Sequence, residues 1–158
     1  MPNVLRHFTV SRSRAFDRAA DYTLRAWIDP AGRAAFETPP GSGLSHVTCH
    51  ADPDVESEIL IAPGGREIGR MFDTIRILRP GHVMVAQGRG VFNGATTMTA
   101  QNSIAITPKG TGCVLTGTSQ MAVLGEHPSE GEVAAGWDAM LDAFAKYLNQ
   151  LPSTGKMI

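Results

Sequence analysis

The feature that most constrains this chain is a long run of alternating segments followed by a single amphipathic helix. Between residues 44 and 124, six stretches alternate apolar and polar residues and are separated by short turns rich in Gly, Pro, Asn and Asp. Strands joined by such tight turns pair antiparallel, and an antiparallel sheet commonly buries one of its faces. The chain must therefore supply an apolar element to cover that face.

The stretch GWDAMLDAFAKYL, residues 136–148, provides this cover. Trp137, Leu141, Phe144 and Leu148 recur at helical spacing and form one apolar stripe, which Met140 widens. The pattern predicts a helix from Glu130 to Leu151. It is the only predicted helix long enough to cover the sheet, so we expect the sheet to wrap around it.

The first third of the chain predicts a strand over 6–16 and two short helices over 19–28 and 31–37. Asp29 is a suitable cap for the second helix, and Pro30 fits its first turn. The element order is then strand, two short helices, six strands and one long helix. We predict an α+β fold in a single domain over residues 1–158, with the two short helices closing one end.

Charge and composition exclude several classes of function. The formal net charge is −1 and the arginines are scattered, which argues against a nucleic-acid groove. No stretch has the length of a transmembrane helix, and MPNVLRHFTV lacks the apolar core of a signal peptide. Two cysteines far apart form no disulfide framework and are expected to be buried thiols. We expect a soluble, cytoplasmic protein without nucleic-acid or membrane partners, and a homodimer stays open.

Two segments resemble a known superfamily. RAWIDPAGRAAF, residues 25–36, resembles the Trp-x-Asp-Pro motif near the start of START-like (SRPBCC) domains. GWDAMLDAFAKYL resembles the helix that ends members of the Hsp90 ATPase activator homologue branch. The resemblance implies a helix-grip fold, in which about seven antiparallel strands surround the C-terminal helix and leave a cavity between sheet and helix. Phe36 departs from the pattern, since the family often has Trp there.

The resemblance also implies a range of activities. Family members bind lipids, polyketides or other apolar molecules, and some cyclise polyketides. The eukaryotic protein that names the branch stimulates the ATPase of a chaperone. Three readings therefore stay open: a binding protein for a small apolar molecule with a polar end, a cyclase or dehydratase with Asp73 as its acid or base and Arg89 or Asn102 stabilising an oxyanion, and a chaperone ATPase activator.

Three neighbouring strands place polar residues in the middle of an otherwise apolar face. The predicted inward faces are residues 71, 73, 75 and 77; residues 83, 85, 87, 89 and 91; and residues 98, 100, 102, 104 and 106. A buried Asp–Arg pair, or a bulge that turns the polar residues outward, is the structural alternative, and a slip of one residue would exchange the faces. The predicted ligand-contacting residues are Met71, Asp73, Gln87, Arg89, Met98 and Asn102 on the strands, and Trp137, Met140 and Phe144 on the helix.

Other chemistries lack support in the sequence. His46 and His50 would lie roughly 13 Å apart along a strand, too far to share one zinc ion, so HVTCHADPD predicts a polar edge strand. No nucleophile elbow or Cys–His motif is present. GRGVFNG and PGGREIG are turns and lack the spacing of nucleotide-binding loops. We therefore expect no cofactor and no metal.

Overall fold

The computed structural model describes residues 4–152. It has the predicted order of elements. The stretch LPSTG, residues 151–155, whose proline and glycine predict the end of the last helix, lies partly outside the described residues. In chain order the elements are β1 (Leu5–Phe16), α1 (Ala20–Ile28), α2 (Pro30–Glu37), β2 (Leu44–Thr48), β3 (Glu56–Ile61), a short 3₁₀ turn (Pro63–Gly65), β4 (Gly69–Arg79), β5 (Val83–Phe92), β6 (Ala95–Lys109), β7 (Gly112–Leu124) and α3 (Glu130–Gln150).

The strands form one antiparallel sheet in the order β1-β7-β6-β5-β4-β3-β2. Consecutive strands are neighbours from β2 to β7, as their short connections require. The β5–β6 hairpin turns at Asn93 and Gly94, which both have positive φ. The N-terminal strand β1 pairs with β7, the last strand, and makes the sheet seven-stranded. The predicted edge strand containing His46 is β2, at the other end of the sheet.

The long helix α3 packs on the sheet through the predicted stripe. Its buried residues are Trp137, Leu141, Phe144 and Leu148, as the spacing predicted. Ser129 caps the helix: its hydroxyl accepts a hydrogen bond from the backbone N–H of Glu132, and the Glu132 carboxylate accepts one from the backbone N–H of Ser129. No helix within residues 4–152 is long and apolar enough to cross a bilayer.

Aromatic rings join α3 to the two short helices. The ring of Phe144 lies 4.9 Å from that of Trp27 and 5.2 Å from that of Phe36. Phe16 on β1 approaches the same ring edge-on at 5.3 Å. Residues from the first quarter of the chain and from α3 therefore share one core, and Phe36 is a fully buried member of it.

Two local predictions are corrected. A bulge in β4 between Ile75 and Ile77 reverses the alternation, so Ile77 is 47% exposed instead of facing inward. The thiols are free, but only Cys113 is buried, where it donates a hydrogen bond to Thr23; Cys49 is half-buried.

Candidate functional site

A chamber of about 540 Å³ lies between the inner face of the sheet and the N-terminal half of α3. Its walls are mostly apolar and come from β4, β5, β6 and the helix. The apolar side chains that border it include Met71, Ile75, Met84, Ala86, Met98, Ala100, Ile104, Trp137 and Met140. This volume falls within the range of about 300–1,000 Å³ that is typical of small-molecule sites.

The chamber is bordered by several exposed residues, which mark its opening. Glu132, Gly136 and Ala139 lie on α3, and Ser42 lies in the loop between α2 and β2. The C-terminal half of α3 is instead packed against α1, α2 and β1 by the aromatic cluster. The same helix is therefore a core element at one end and a chamber wall at the other.

One polar end of the chamber is built around Arg33 of α2, which is 4% exposed. Its Nε donates to Glu37 at 2.6 Å, and its Nη2 donates to the two carboxylate oxygens of Asp73 at 3.0 and 3.3 Å. Its Nη1 donates to the backbone carbonyl of His50 at 3.3 Å. His46 adds a ring nitrogen 3.3 Å from Glu37. A buried guanidinium with two carboxylates satisfies the rule that buried charges are paired.

The pKa values of the two carboxyl groups are shifted in opposite directions. Burial acts to raise the pKa of Glu37, but the contacts with His46 and Arg33 outweigh it and hold that pKa below its ordinary value. For Asp73, burial dominates over the attraction of Arg33, and nearby Glu37 adds to it, so its pKa is raised. Asp73 is thus the carboxyl that holds a proton more readily, and it borders the chamber.

A second polar group lies on the chamber floor, on β6 and β7. The indole Nε1 of Trp137 donates to Oγ of Ser119 at 2.8 Å, and that hydroxyl donates to Oδ1 of Asn102 at 2.6 Å. Gly88 of β5 lies between the two polar groups: a Cβ there would lie 3.8 Å from Cβ of Asp73 and 3.9 Å from Nδ2 of Asn102. Asp73 and Asn102 therefore face the same space.

The predicted face of β5 is wrong. Its buried side chains are Met84 and Ala86, so Gln87 is exposed on the opposite face. Arg89 borders the chamber, but its guanidinium lies 4.1 Å from the ring centroid of Phe72 and 3.6 Å from Glu56 on the outer face. The valines of this strand indicated the wrong inward face. The true inner face includes the small residues Ala86 and Gly88, which leave the chamber open.

A second concavity, of about 770 Å³, lies on that outer face of the sheet. It is more open than the chamber, and it is lined largely by glutamine, threonine and arginine side chains, Gln87 and Arg89 among them. A shallow polar surface of this kind does not remove a small apolar molecule from water. We therefore place the candidate site in the chamber.

Seven of the predicted ligand-contacting residues border the chamber: Met71, Asp73, Arg89, Met98, Asn102, Trp137 and Met140. The guanidinium of Arg89 lies on the outer face, which leaves six as candidates for ligand contact. Phe144 does not border it, because it is fully buried in the aromatic cluster. The role of the six in binding stays a prediction. No group of three or more His, Cys, Asp or Glu side chains in residues 4–152 is arranged to hold a metal ion.

Three site residues escaped the sequence reasoning: Arg33, Glu37 and Ser119. Arg33 and Glu37 stand four apart on α2, a spacing that puts them on one helix face, and Phe36 shares that face. A charged pair beside a buried aromatic in a short helix was the available signal. No comparable sequence signal marks Ser119, because serine is common in alternating strands.

Comparison with known proteins supports the fold. No protein-family model and no curated protein sequence matches the chain. Among solved structures, an uncharacterised protein from Rhizobium leguminosarum superposes with a TM-score of 0.82 at 15% identity, over 94% of this chain and 99% of that one. Ara h 8.0201 superposes with a TM-score of 0.69 at 10% identity, over 92% of this chain and 100% of that one.

A third structure is that of DynU16, a protein in the dynemicin biosynthetic locus. It superposes with a TM-score of 0.61 at 15% identity, and the match covers 90% of this chain but 47% of DynU16. Identities this low establish the architecture only. The chain has the helix-grip fold of the START and Bet v 1-like structures: a curved seven-stranded antiparallel sheet around a long C-terminal helix, with two short helices after the first strand.

Proposed function

We propose that this protein binds a small, mostly apolar molecule with a polar end in the chamber between the sheet and α3. The observation that carries the proposal is the combination of an apolar chamber of about 540 Å³ with two neighbouring polar groups, one around Arg33 and one around Ser119, on either side of Gly88. Such a layout buries the body of a ligand and orients its polar end. The Bet v 1-like architecture of its structural neighbours fits this role.

The apolar walls supply enough free energy for measurable binding. Each buried methylene contributes about 0.8 kcal/mol, so a ten-carbon ligand gains roughly 8 kcal/mol before the costs of association. After association costs of at least about 4 kcal/mol, roughly 4 kcal/mol remains, so we expect dissociation constants of about a millimolar for simple ten-carbon ligands. A tighter natural ligand would need to use the polar groups as well.

Two measurements test the proposal. Native mass spectrometry of the freshly purified protein should show an adduct of small-molecule mass. The neutral fluorescent probe N-phenyl-1-naphthylamine should bind saturably, with a blue-shifted emission, because its rings leave water on entering the chamber. A protein that carries no adduct and leaves the fluorescence of the probe unchanged would refute the proposal.

An enzyme of the cyclase or dehydratase kind is the second candidate, and the buried carboxyl of Asp73 favours it. A carboxyl with a raised pKa beside an apolar chamber is suited to general acid–base catalysis. Asn102, and not Arg89, is then the residue placed to stabilise a developing oxyanion, because the Arg89 guanidinium is on the outer face. The location of DynU16 in a biosynthetic locus is compatible with this candidate.

The test of the enzymatic candidate compares Asp73→Asn with Asp138→Asn, an exposed carboxylate paired with Arg12. Once a substrate is turned over by the native protein, Asp73→Asn should reduce the turnover number at least a hundredfold, as expected for loss of a general acid or base. Asp138→Asn should leave it unchanged. Equal turnover by both variants would remove Asp73 from any catalytic role.

We also propose the finer assignment to the Hsp90 ATPase activator homologue branch, on the strength of the stretch Trp27–Pro30 and of Gly136-Trp137. Chaperone stimulation is the activity that this branch name suggests, and addition of the protein to the host chaperone should then raise its ATPase rate. An unchanged rate would retire that role.

The free thiols of Cys49 and Cys113 suit a reducing, cytoplasmic location, which cell fractionation tests. Light scattering in solution tests a homodimer.

A further inference from the structure

The hydrogen bonds around Ser119 fix the orientation of the Asn102 amide. An indole N–H can only donate, so Oγ of Ser119 accepts from Trp137, and among residues 4–152 the acceptor within reach of its own proton is the side chain of Asn102. The Asn102 atom at 2.6 Å from Ser119 is therefore the acceptor, Oδ1, and the amide nitrogen Nδ2 points away from it. The relay makes Asn102 a donor toward the chamber.

That donor is unused. Within residues 4–152, Nδ2 of Asn102 makes no hydrogen bond. Asn102 and Gly88 both border the chamber, and Nδ2 lies 3.9 Å from the position that a Cβ of Gly88 would take, with the backbone oxygen of Phe72 3.2 Å from the same position. Once an apolar ligand covers Nδ2 and removes it from water, an acceptor on that ligand is favoured, because a donor left there without a partner is costly.

The charges that border the chamber disfavour an ionised ligand. Among the described residues that border the chamber, Arg33 is the cation that faces inward, and its guanidinium already donates hydrogen bonds to Glu37 and Asp73. A ligand carboxylate would meet two carboxyl groups with no free cation. A ligand ammonium would compete with Arg33 for Asp73, whose two oxygens both accept from Nη2. Each ion would also lose its hydration on entering.

We infer that the chamber selects an uncharged apolar ligand with a carbonyl oxygen, which lies over Gly88 and accepts a hydrogen bond from Nδ2 of Asn102. This inference rests on the proposed binding function and narrows its ligand to neutral ketones, aldehydes, esters and related carbonyl compounds. Asn102 is the residue that sets the preference, and Ser119 and Trp137 are positioning residues that hold the amide in the donating orientation.

A competition assay with matched probes tests the inference. N-phenyl-1-naphthylamine is displaced by decan-2-one, by its isostere 2-methyldec-1-ene, in which a methylene replaces the carbonyl oxygen, by decanoate and by decylammonium. One neutral hydrogen bond predicts that the ketone displaces the probe at about three- to tenfold lower concentration than the alkene. Both ions should be weaker than the ketone.

Variants assign the preference to Asn102. Asn102→Leu should bring the ketone and the alkene to the same displacing concentration, and Asn102→Asp, which keeps an acceptor for Ser119 but replaces the N–H₂ with oxygen, should do the same. Gln101→Leu is the matched control, because Gln101 is exposed on the other face of β6 and bonds Gln120 at 3.1 Å. It should keep the preference of the native protein. The carbonyl stretching frequency of bound decan-2-one should be lower in the native protein than in Asn102→Leu.

The outcomes separate this inference from the proposed function. If the native protein takes up the naphthylamine but decanoate or decylammonium displaces it at lower concentration than the ketone, the proposed binding function stands and this inference is wrong. It is also wrong if the ketone preference survives in both Asn102 variants. Failure of the native protein to take up the naphthylamine at all would overturn the binding function and this inference with it.

Discussion

Substitution of Gly136 separates the two roles of α3, as a helix and as a chamber wall. Gly136 lies in the N-terminal half of the helix, is exposed, and borders the chamber. Apart from the adjoining residues and backbone of α3 itself, a Cβ at this position would meet no atom of residues 4–152 within 4 Å. Glycine within a helix is less favourable than alanine, and nothing in the packing of this position compensates for that loss.

The expected gain follows from helix propensity. Gly136→Ala should raise the free energy of unfolding by about 1 kcal/mol, since the added methyl group meets open space and the unfolded chain loses freedom. For a domain of this size the change corresponds to an increase of roughly 2–4 °C in Tm. Chemical denaturation and differential scanning calorimetry measure the two quantities.

Gly136→Trp tests the chamber wall. The indole must occupy the chamber or its opening, so the affinity for N-phenyl-1-naphthylamine should fall at least tenfold while the protein stays folded by circular dichroism. Gly131→Trp is the matched control, because Gly131 is the other glycine of α3 and does not border the chamber. It should bind the probe as the native protein does.

Two results would contradict this reasoning. A lower free energy of unfolding for Gly136→Ala would mean that the space beside Gly136 is filled, so that α3 is rotated from the orientation described. Unchanged probe affinity in Gly136→Trp would mean that the probe binds elsewhere, for example on the outer face of the sheet.

Three further predictions concern the polar group around Arg33 and the packing of the Trp137 indole against β7. Arg33→Met should lower the free energy of unfolding by about 3–5 kcal/mol in a urea titration, because it leaves the Glu37 and Asp73 carboxyls buried without their cation. The pKa of Glu37 is lower in the folded than in the unfolded state. Its ionisation therefore stabilises the fold above the ordinary pKa of 4.5, and this stabilisation is lost as the pH falls through the pKa of the folded state. Glu37→Gln should therefore show a shallower loss of stability between about pH 5 and pH 3 than the native protein. Gly117→Ala should lower the free energy of unfolding by about 1–3 kcal/mol, with altered tryptophan fluorescence, because its methyl group would overlap the Trp137 indole.

The fold was predictable because its signals are periodic and redundant. Each strand from β2 to β7 has its own alternation and its own turn, and the stripe of α3 repeats over three turns of helix. Such patterns tolerate an error of a residue or two at each end without a change of topology. The Asp29 cap is a local side-chain signal and was predicted for the same reason.

The site was less predictable because it depends on strand parity and on pairs distant in sequence. On β5 both faces are apolar by composition, and Val83 and Val85 appear more core-like than Ala86 and Gly88. Large apolar residues usually mark the buried face of a strand, but beside a chamber the buried face carries small residues, since these line the empty space. On β4 the bulge after Ile75 exchanges the faces within one strand. Arg33 meets Asp73 across 40 residues of chain, a contact that no local pattern encodes.

The pairing of β1 with β7 has a consequence for how the protein is made. Leu5 to Phe16 find their partners only at Leu124 to Cys113, and the aromatic cluster is completed by Phe144 of α3. During synthesis on the ribosome, the first strand and both short helices emerge long before β7 and α3, the elements that they pack against, have been made. The sheet cannot bury its inner face until the last helix has left the exit tunnel, so folding depends on distant contacts and is expected to be slower than that of a helical bundle. A chain truncated before α3 would expose that face and become a substrate for chaperones and proteases.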